Sequence, residues 1–187
     1  IQGIDTRALT RHTRDVGAQP GIISTTDLDA ASLFAKAKKL PKMNGLDLAK
    51  VVTCKKPYQW DEGVWDLEQG YTKKPASRYK VVAYDYGIKR NILRRLSSYG
   101  CEVKVVPVSF PAEEILAQNP DGLFLSNGPG DPAAATSVID TVGALLGTLP
   151  VFGICMGHQL LARALGIGTQ KLPFGHRGAN HPVRRHD

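Results

Sequence analysis

A cysteine stands between two glycines in Gly153-Ile-Cys155-Met-Gly157, after the apolar stretch Val151-Phe152 and before a helix-forming segment. That pattern presents a thiol for attack on a carbonyl. A short strand over Val151–Gly153 would carry the chain to a sheet edge. Gly153 and Gly157 would then allow a tight strand-to-helix turn that a Cβ obstructs. The helix expected from Met156 to Leu165 aims its N-terminal amides at the sulfur, where they favour negative charge and can hold a developing oxyanion. A free cysteine is more commonly a small buried hydrophobe. The paired glycines at a strand–helix junction favour the nucleophile.

A second glycine-rich stretch, Ser126-Asn-Gly128-Pro-Gly130-Asp-Pro132, lies one βα unit earlier. It serves equally as a plain βα turn or as a cradle of backbone amides for a substrate; its place just before the cysteine turn favours the cradle. It lacks the lysine and spacing of a phosphate loop, and no nucleotide site is expected. His158 follows Cys155 by three residues, which moves it about 4.5 Å along a helix axis. It is expected to support the turn from beneath rather than act as the base, and a triad base can come from a distant segment. His176, His181 and His186 recur every five residues, but Gly178 and Pro182 break any single helix and no ligand spacing is matched, so no metal site is expected.

The elements that must hold these residues alternate. Lys80–Tyr84, Val103–Val106, Gly122–Ser126 and Val151–Gly153 read as apolar strands. Ile88–Tyr99, Ala112–Ala117, Ser137–Leu146 and the segment from Met156 read as helices. This is the pattern of a doubly wound parallel α/β sheet, whose ligands sit beyond the carboxyl ends of its strands. Three loops reach that edge, after Tyr84, Leu125 and Ile154. Upstream, helices are expected over Arg7–Val16 and Leu28–Leu40, a helical turn over Leu46–Lys50 and a short strand over Val51–Cys54. Lys55–Lys80 reads as a hairpin or irregular region leading into a linker. Two domains follow: residues 1–75, a partial α/β domain with its linker, and residues 76–187.

Composition narrows the class. With 42% hydrophobic and 7% aromatic residues the chain suits a globular core, and no apolar run approaches the roughly 20 residues of a membrane span. Three cysteines without CxxC spacing argue for a reducing compartment and against a disulfide framework or cysteine zinc site; the cytoplasm is expected, or an organelle in a eukaryote. The net charge of +7 is spread as basic pairs without interleaved aromatics, which suits a solvated surface or an acidic partner better than nucleic acid. The chain starts at Ile1 inside an apolar stretch and stops at Asp187 without a closing element, so it is expected to be an internal piece of a longer protein.

With these pieces in place, Gly153–Gln159 and Ser126–Pro132 resemble the class I (triad) glutamine amidotransferases, whose fold is flavodoxin-like. More narrowly, the chain is similar to the small, glutamine-hydrolysing subunits of carbamoyl phosphate synthetases. The segments that narrow it are Ile4–Arg11, Gly17–Ile23, Asn44–Lys50, Val82–Leu93 and Phe174–Pro182. The resemblance implies that Cys155 attacks the glutamine amide and releases ammonia. It implies that Gly128 and Met156 hold the oxyanion through their amides, and that Gly130 and Gln159 position the substrate. The partner implied is a large subunit, which takes the ammonia and carries the ATP and magnesium, leaving no cofactor for this chain. The product would serve arginine and pyrimidine biosynthesis.

Two departures stand out. The family commonly has Leu where this chain has Met156, a change that a backbone role tolerates. Nothing here matches the family's downstream His and Glu, so the triad's base is expected outside this chain, and the 187 residues alone are expected to be inactive. Two alternatives stay open. Another triad amidotransferase, such as an anthranilate or GMP synthase glutaminase, would lack the Ile4–Arg7 segment. A non-catalytic scaffold would not need Cys155.

Overall fold

The structure is a computed structural model that describes residues 3–73, 75–173, 175 and 184. It divides into two compact units, residues 1–42 with 170–187, and residues 43–169.

In the first unit, α1 (Thr6–Val16) begins where Asp5 accepts the Ala8 N–H at 2.9 Å. It ends at Gly17, whose φ of 99° turns the chain away. α2 (Ala30–Lys38) is capped by Asp29, which accepts from Ala31 and Ser32, both at 3.1 Å. Each carboxylate satisfies amides that a helix start leaves unpaired.

The second unit opens on α3 (Ala49–Val52). Here the sequence expectation of a strand over Val51–Cys54 fails. The Val51 and Val52 amides donate to the Leu48 carbonyl at 3.0 and 3.3 Å, and Thr53 donates to Ala49 at 3.1 Å. Two β-branched residues suggested a strand, but the edge they would join is already occupied. β1 (Tyr58–Trp60) pairs antiparallel with β5 (Cys101–Pro107). Val51 and Val52 therefore stay exposed, and only Ala49 is buried. Tertiary pairing overrode local propensity.

β2 (Glu62–Asp66) and β3 (Gly70–Lys73) form a separate hairpin. β4 (Tyr79–Asp85), α4 (Arg90–Ser98), β5, α5 (Ala112–Leu116), β6 (Gly122–Leu125), α6 (Thr136–Leu145), β7 (Val151–Gly153) and α7 (Met156–Ala164) then alternate as expected. The main sheet runs β1-β5-β4-β6-β7, and all its pairs except β1–β5 are parallel. Counted among the parallel strands, that is the 2-1-3-4 order of a flavodoxin-like sheet, with its switch point between β4 and β6.

Both faces of this sheet are covered, which explains its unbroken apolar strands. One face packs Val82, Tyr84, Leu123 and Leu125 against Ile115, Val142, Leu145 and Leu160. The other packs Ala83, Val103, Val105 and Phe124 against Leu93. Within α6, Gly143 is exposed and a Cβ there would meet nothing within 4 Å. Gly143→Ala is expected to stabilise the protein by about 0.5–1 kcal/mol through reduced unfolded-chain entropy, read as a higher denaturation midpoint; an unchanged or lower midpoint would contradict this.

Candidate active site

Of the three loops at the carboxyl edge, those after β4 and β6 are knit together by polar side chains. At the end of β4, Asp85 turns its carboxylate back on the chain. Its Oδ1 accepts the Gly87 and Ile88 amides at 2.9 and 2.8 Å, and its Oδ2 accepts the Cys54 amide at 2.8 Å. After β6, the buried Ser126 hydroxyl accepts the Tyr86 amide at 2.9 Å and donates to the Asn127 carbonyl at 2.8 Å. Asn127 bridges the same two loops, accepting from the Lys89 amide at 2.9 Å and donating to the Gly87 carbonyl at 3.0 Å. Local pattern did not reveal these three residues. Their one signal is a polar side chain directly after an apolar strand.

That stitching fixes the path of Gly128 and Gly130. A Cβ on Gly128 would collide with the Tyr86 carbonyl, so no larger residue fits. Gly130 has φ of +108°, and a Cβ there would lie 2.8 Å from the Leu46 carbonyl oxygen and 2.9 Å from the Leu48 nitrogen. Asp131 adds two bonds to the same neighbour segment: its amide donates to the Leu46 carbonyl, and its Oδ2 accepts the Gly45 amide, each at 2.9 Å.

The cysteine turn lies against this loop. Ile154 donates to the Leu125 carbonyl at 3.0 Å, and Gly157 donates to the carbonyls of Ser126 at 2.9 Å and Ile154 at 3.0 Å. The Gly157-to-Ile154 bond closes a β-turn with Cys155 at its first central position. Cys155 has φ 53° and ψ −111°, the values of a type II′ turn, where glycine is the usual occupant. A side chain held there stores strain, and such strain gathers at active sites. The thiol is exposed.

The other predicted residues surround it. Met156 is buried and opens α7, while Gln159 is exposed on the same first turn, its amide donating to the Cys155 carbonyl at 3.0 Å. Neither the Gly128 nor the Met156 N–H has an acceptor among the described residues. Met156 adjoins the exposed thiol in sequence, and the Gly157-to-Ser126 bond ties the cysteine turn to the loop that carries Gly128; an oxyanion requires donors of this kind. His158 differs from expectation. It is exposed rather than tucked beneath the turn, because Met156, Gly157 and Leu160 occupy the packed side of α7.

The remaining thiols are held protonated. Burial, then the charge and hydrogen bond of Asp85, push Cys54 up from 9.0 to about 11. Burial also raises Cys101. Brief alkylation with iodoacetamide near neutral pH is therefore expected to modify Cys155 before either, read by peptide mass spectrometry. A thiol raised in the folded state binds its proton more tightly there than when unfolded. Its contribution to stability is whole below about pH 9 and is lost as pH rises toward about 11. Burial raises Tyr84 and Tyr86 in the same direction. Denaturation midpoints should hold to about pH 9 and fall above it, less steeply in Cys54→Ala. Identical slopes in the two proteins would rule out the Cys54 contribution.

Among the described residues, no cluster of His, Cys, Asp and Glu is placed to hold a metal, and no helix is long and apolar enough to cross a membrane. His176, His181 and His186 lie outside the described residues, as does Phe174–Pro182 apart from Gly175. A surface hollow lined by Lys80, Glu102 and Lys104 sits toward the opposite, amino end of the strands and involves none of these loops.

The chain is similar in sequence to known proteins. Carbamoyl phosphate synthase small chain from Syntrophotalea carbinolica is 62% identical over 186 residues, covering 99% of this chain and 50% of that protein. The protein of the same name from Synechococcus sp. is 56% identical over 97% of this chain and 47% of its own length. That from Vibrio vulnificus is 56% identical over 98% and 50%. The chain thus spans about half the length of the curated relatives it matches. Residues 82–187, which hold all three loops, match the family Glutamine amidotransferase class-I. By that match, with a strained cysteine turn in a flavodoxin-like sheet, the chain belongs to the class-I glutamine amidotransferases.

Proposed function

We propose that the chain is part of a carbamoyl phosphate synthase small chain and carries its glutamine-cleaving nucleophile. The observation that bears most weight is Cys155, exposed and strained at the head of α7, in a turn tied to the Ser126 loop by the Gly157 amide. In this reading Cys155 Sγ bonds to the glutamine side-chain carbonyl carbon, and the oxyanion is held by the Gly128 and Met156 amides. As the C–N bond breaks, the departing nitrogen takes a proton and leaves as ammonia. Water then cleaves the γ-glutamyl thioester, releasing glutamate and restoring the thiol. Gly130 shapes the substrate's side of the loop and Gln159 contacts the bound glutamine.

The proton acceptor and its carboxylate partner are assigned to the part of the relatives' length that this chain does not span. Ammonia is delivered to a large synthetase subunit, which holds ATP and magnesium and forms carbamoyl phosphate from bicarbonate. The assembly is a cytoplasmic heterodimer at its simplest, feeding arginine and pyrimidine synthesis.

The test is acid-quench trapping of radiolabelled glutamine on the full-length protein with its large subunit. A γ-glutamyl adduct on the peptide containing Cys155, absent in Cys155→Ser, is expected. No adduct, with Cys155→Ser as active as wild type, would sink the reading. The 187-residue chain alone is expected to show no glutaminase turnover in a coupled glutamate assay, and measurable turnover would place the base within it.

A further inference from the structure

The loop that carries Gly128 has two soft joints. Gly128 and Gly130 flank Pro129, whose ring fixes φ, so the torsions of the two glycines decide where the Gly128 amide points. On one side Ser126 and Asn127 hold the loop to the end of β4. Its other side is held by residues 45–54, which touch the carboxyl ends of β4 and β5 as well. The Thr53 hydroxyl oxygen accepts the Val108 amide just past β5 at 2.9 Å, and the Cys54 amide donates to Asp85 at 2.8 Å. Buried Ala49 anchors this crossing in the core that contains Tyr86 and Met156. The crossing precedes residues 82–187, the stretch that matches the amidotransferase family, so this support comes from outside that stretch.

The contact is closest at the loop itself. The Leu46 carbonyl accepts the Asp131 amide, and Asp131 Oδ2 accepts the Gly45 amide, each at 2.9 Å. A Cβ on Gly130 would run into the backbone of Leu46 and Leu48. A Cβ on Gly87 would lie 3.0 Å from Val52 Cγ2, 3.1 Å from Pro129 Cδ and 3.6 Å from Gly128 Cα, so all three crowd around Gly87. The second oxygen of Asp131 is used locally: Oδ1 accepts the Ala133 amide at 2.9 Å and caps the short turn Pro132–Ala134. One carboxylate therefore shapes its own turn and ties the loop to a segment 86 residues earlier.

We propose that Asp131 is a positioning residue for glutamine hydrolysis: its bond to Gly45 holds the Gly128 amide where the oxyanion forms. The proposal rests on the function proposed above. Asp131 acts through the loop and touches no reacting atom. A donor displaced by about 1 Å is enough to slow a reaction about a hundredfold.

The full-length protein with its large subunit supplies the test. Asp131→Ser keeps an oxygen for the Ala133 amide, since serine caps helical turns as aspartate does, but has no second oxygen for Gly45. It should lower kcat for glutamine about 10- to 100-fold while KM stays within about threefold. Asp131→Ala, which loses both bonds, should fall as far. Val52→Ala, which loosens the same crossing, should lower kcat by less. Alkylation of Cys155 by iodoacetamide displaces iodide and forms no oxyanion, so its rate should match wild type in every variant.

A wild-type kcat in Asp131→Ser overturns the proposal, because the local turn would then be all that the carboxylate secures. So does a parallel fall in kcat and alkylation rate, which general loss of structure would give. A raised KM at unchanged kcat also overturns it. Wild-type protein that forms no γ-glutamyl adduct overturns the nucleophile and this proposal together. Adducts that form equally fast in wild type and all variants overturn this proposal alone.

Discussion

Cys155→Gly is expected to melt higher than the parent protein, although it removes the reactive thiol. At φ 53° and ψ −111° any residue with a Cβ is strained, typically by about 1–3 kcal/mol. Glycine relieves that strain and gives back about 0.5–1 kcal/mol in chain entropy. A net gain of about 0.5–2 kcal/mol remains, or roughly 2–6 °C in melting temperature for a domain of this size. Cys155→Ala keeps the Cβ and the strain, so it should melt near the parent. In the full-length assembly both variants should lose glutamine hydrolysis by about a thousandfold or more, because neither offers a nucleophile. The ordering separates two ideas that activity alone cannot. If glycine and alanine melt together, the turn is not strained and the elbow is only a place to put sulfur.

Gly157→Ala is expected to act in the opposite sense, with the larger effect. A Cβ at Gly157 would fall inside contact distance of the Leu125 carbonyl group, and one at Gly153 would meet Gly157 and the His158 amide. Strand, turn and helix are packed backbone to backbone, with no side chain free to yield. Overpacking of this kind should cost about 3 kcal/mol or more, lowering the melting temperature by about 6–12 °C. The collision also pushes on the bond from Gly157 to Ser126, so α7 moves relative to the Gly128 loop. Denaturant titration beside Gly143→Ala gives the contrast: one glycine whose Cβ would enter open space, another whose Cβ would enter a backbone. A loss below about 1 kcal/mol would mean that the junction can relax.

The residues legible in the sequence were those whose constraint is local. Gly153 and Gly157 announce the turn by spacing alone, and the alternation of strands and helices from Lys80 onward gives the parallel sheet. What escaped was long-range. Nothing near Val51 and Val52 shows that β1 already fills the neighbouring edge of β5. Nothing near Asn127 shows that its amide will span 38 and 40 residues of chain to meet Lys89 and Gly87. Strand β1 itself was hidden because three residues, two of them exposed, carry too little alternation to register. The surface position of His158 depended on which face of α7 Gly157 would pack, a question of contact that spacing does not answer.

β1 also sets how the sheet ends. Its three antiparallel residues occupy the outer hydrogen-bonding side of β5, and a strand so short leaves little edge of its own to extend. At the other end β7, also three residues long, pairs among the described residues with β6 alone and holds Phe152 exposed. Both margins are short, so neither offers a further strand much backbone to pair with. The sheet is closed by brevity on each side, and the turn that carries the sulfur stands at the end of one of them.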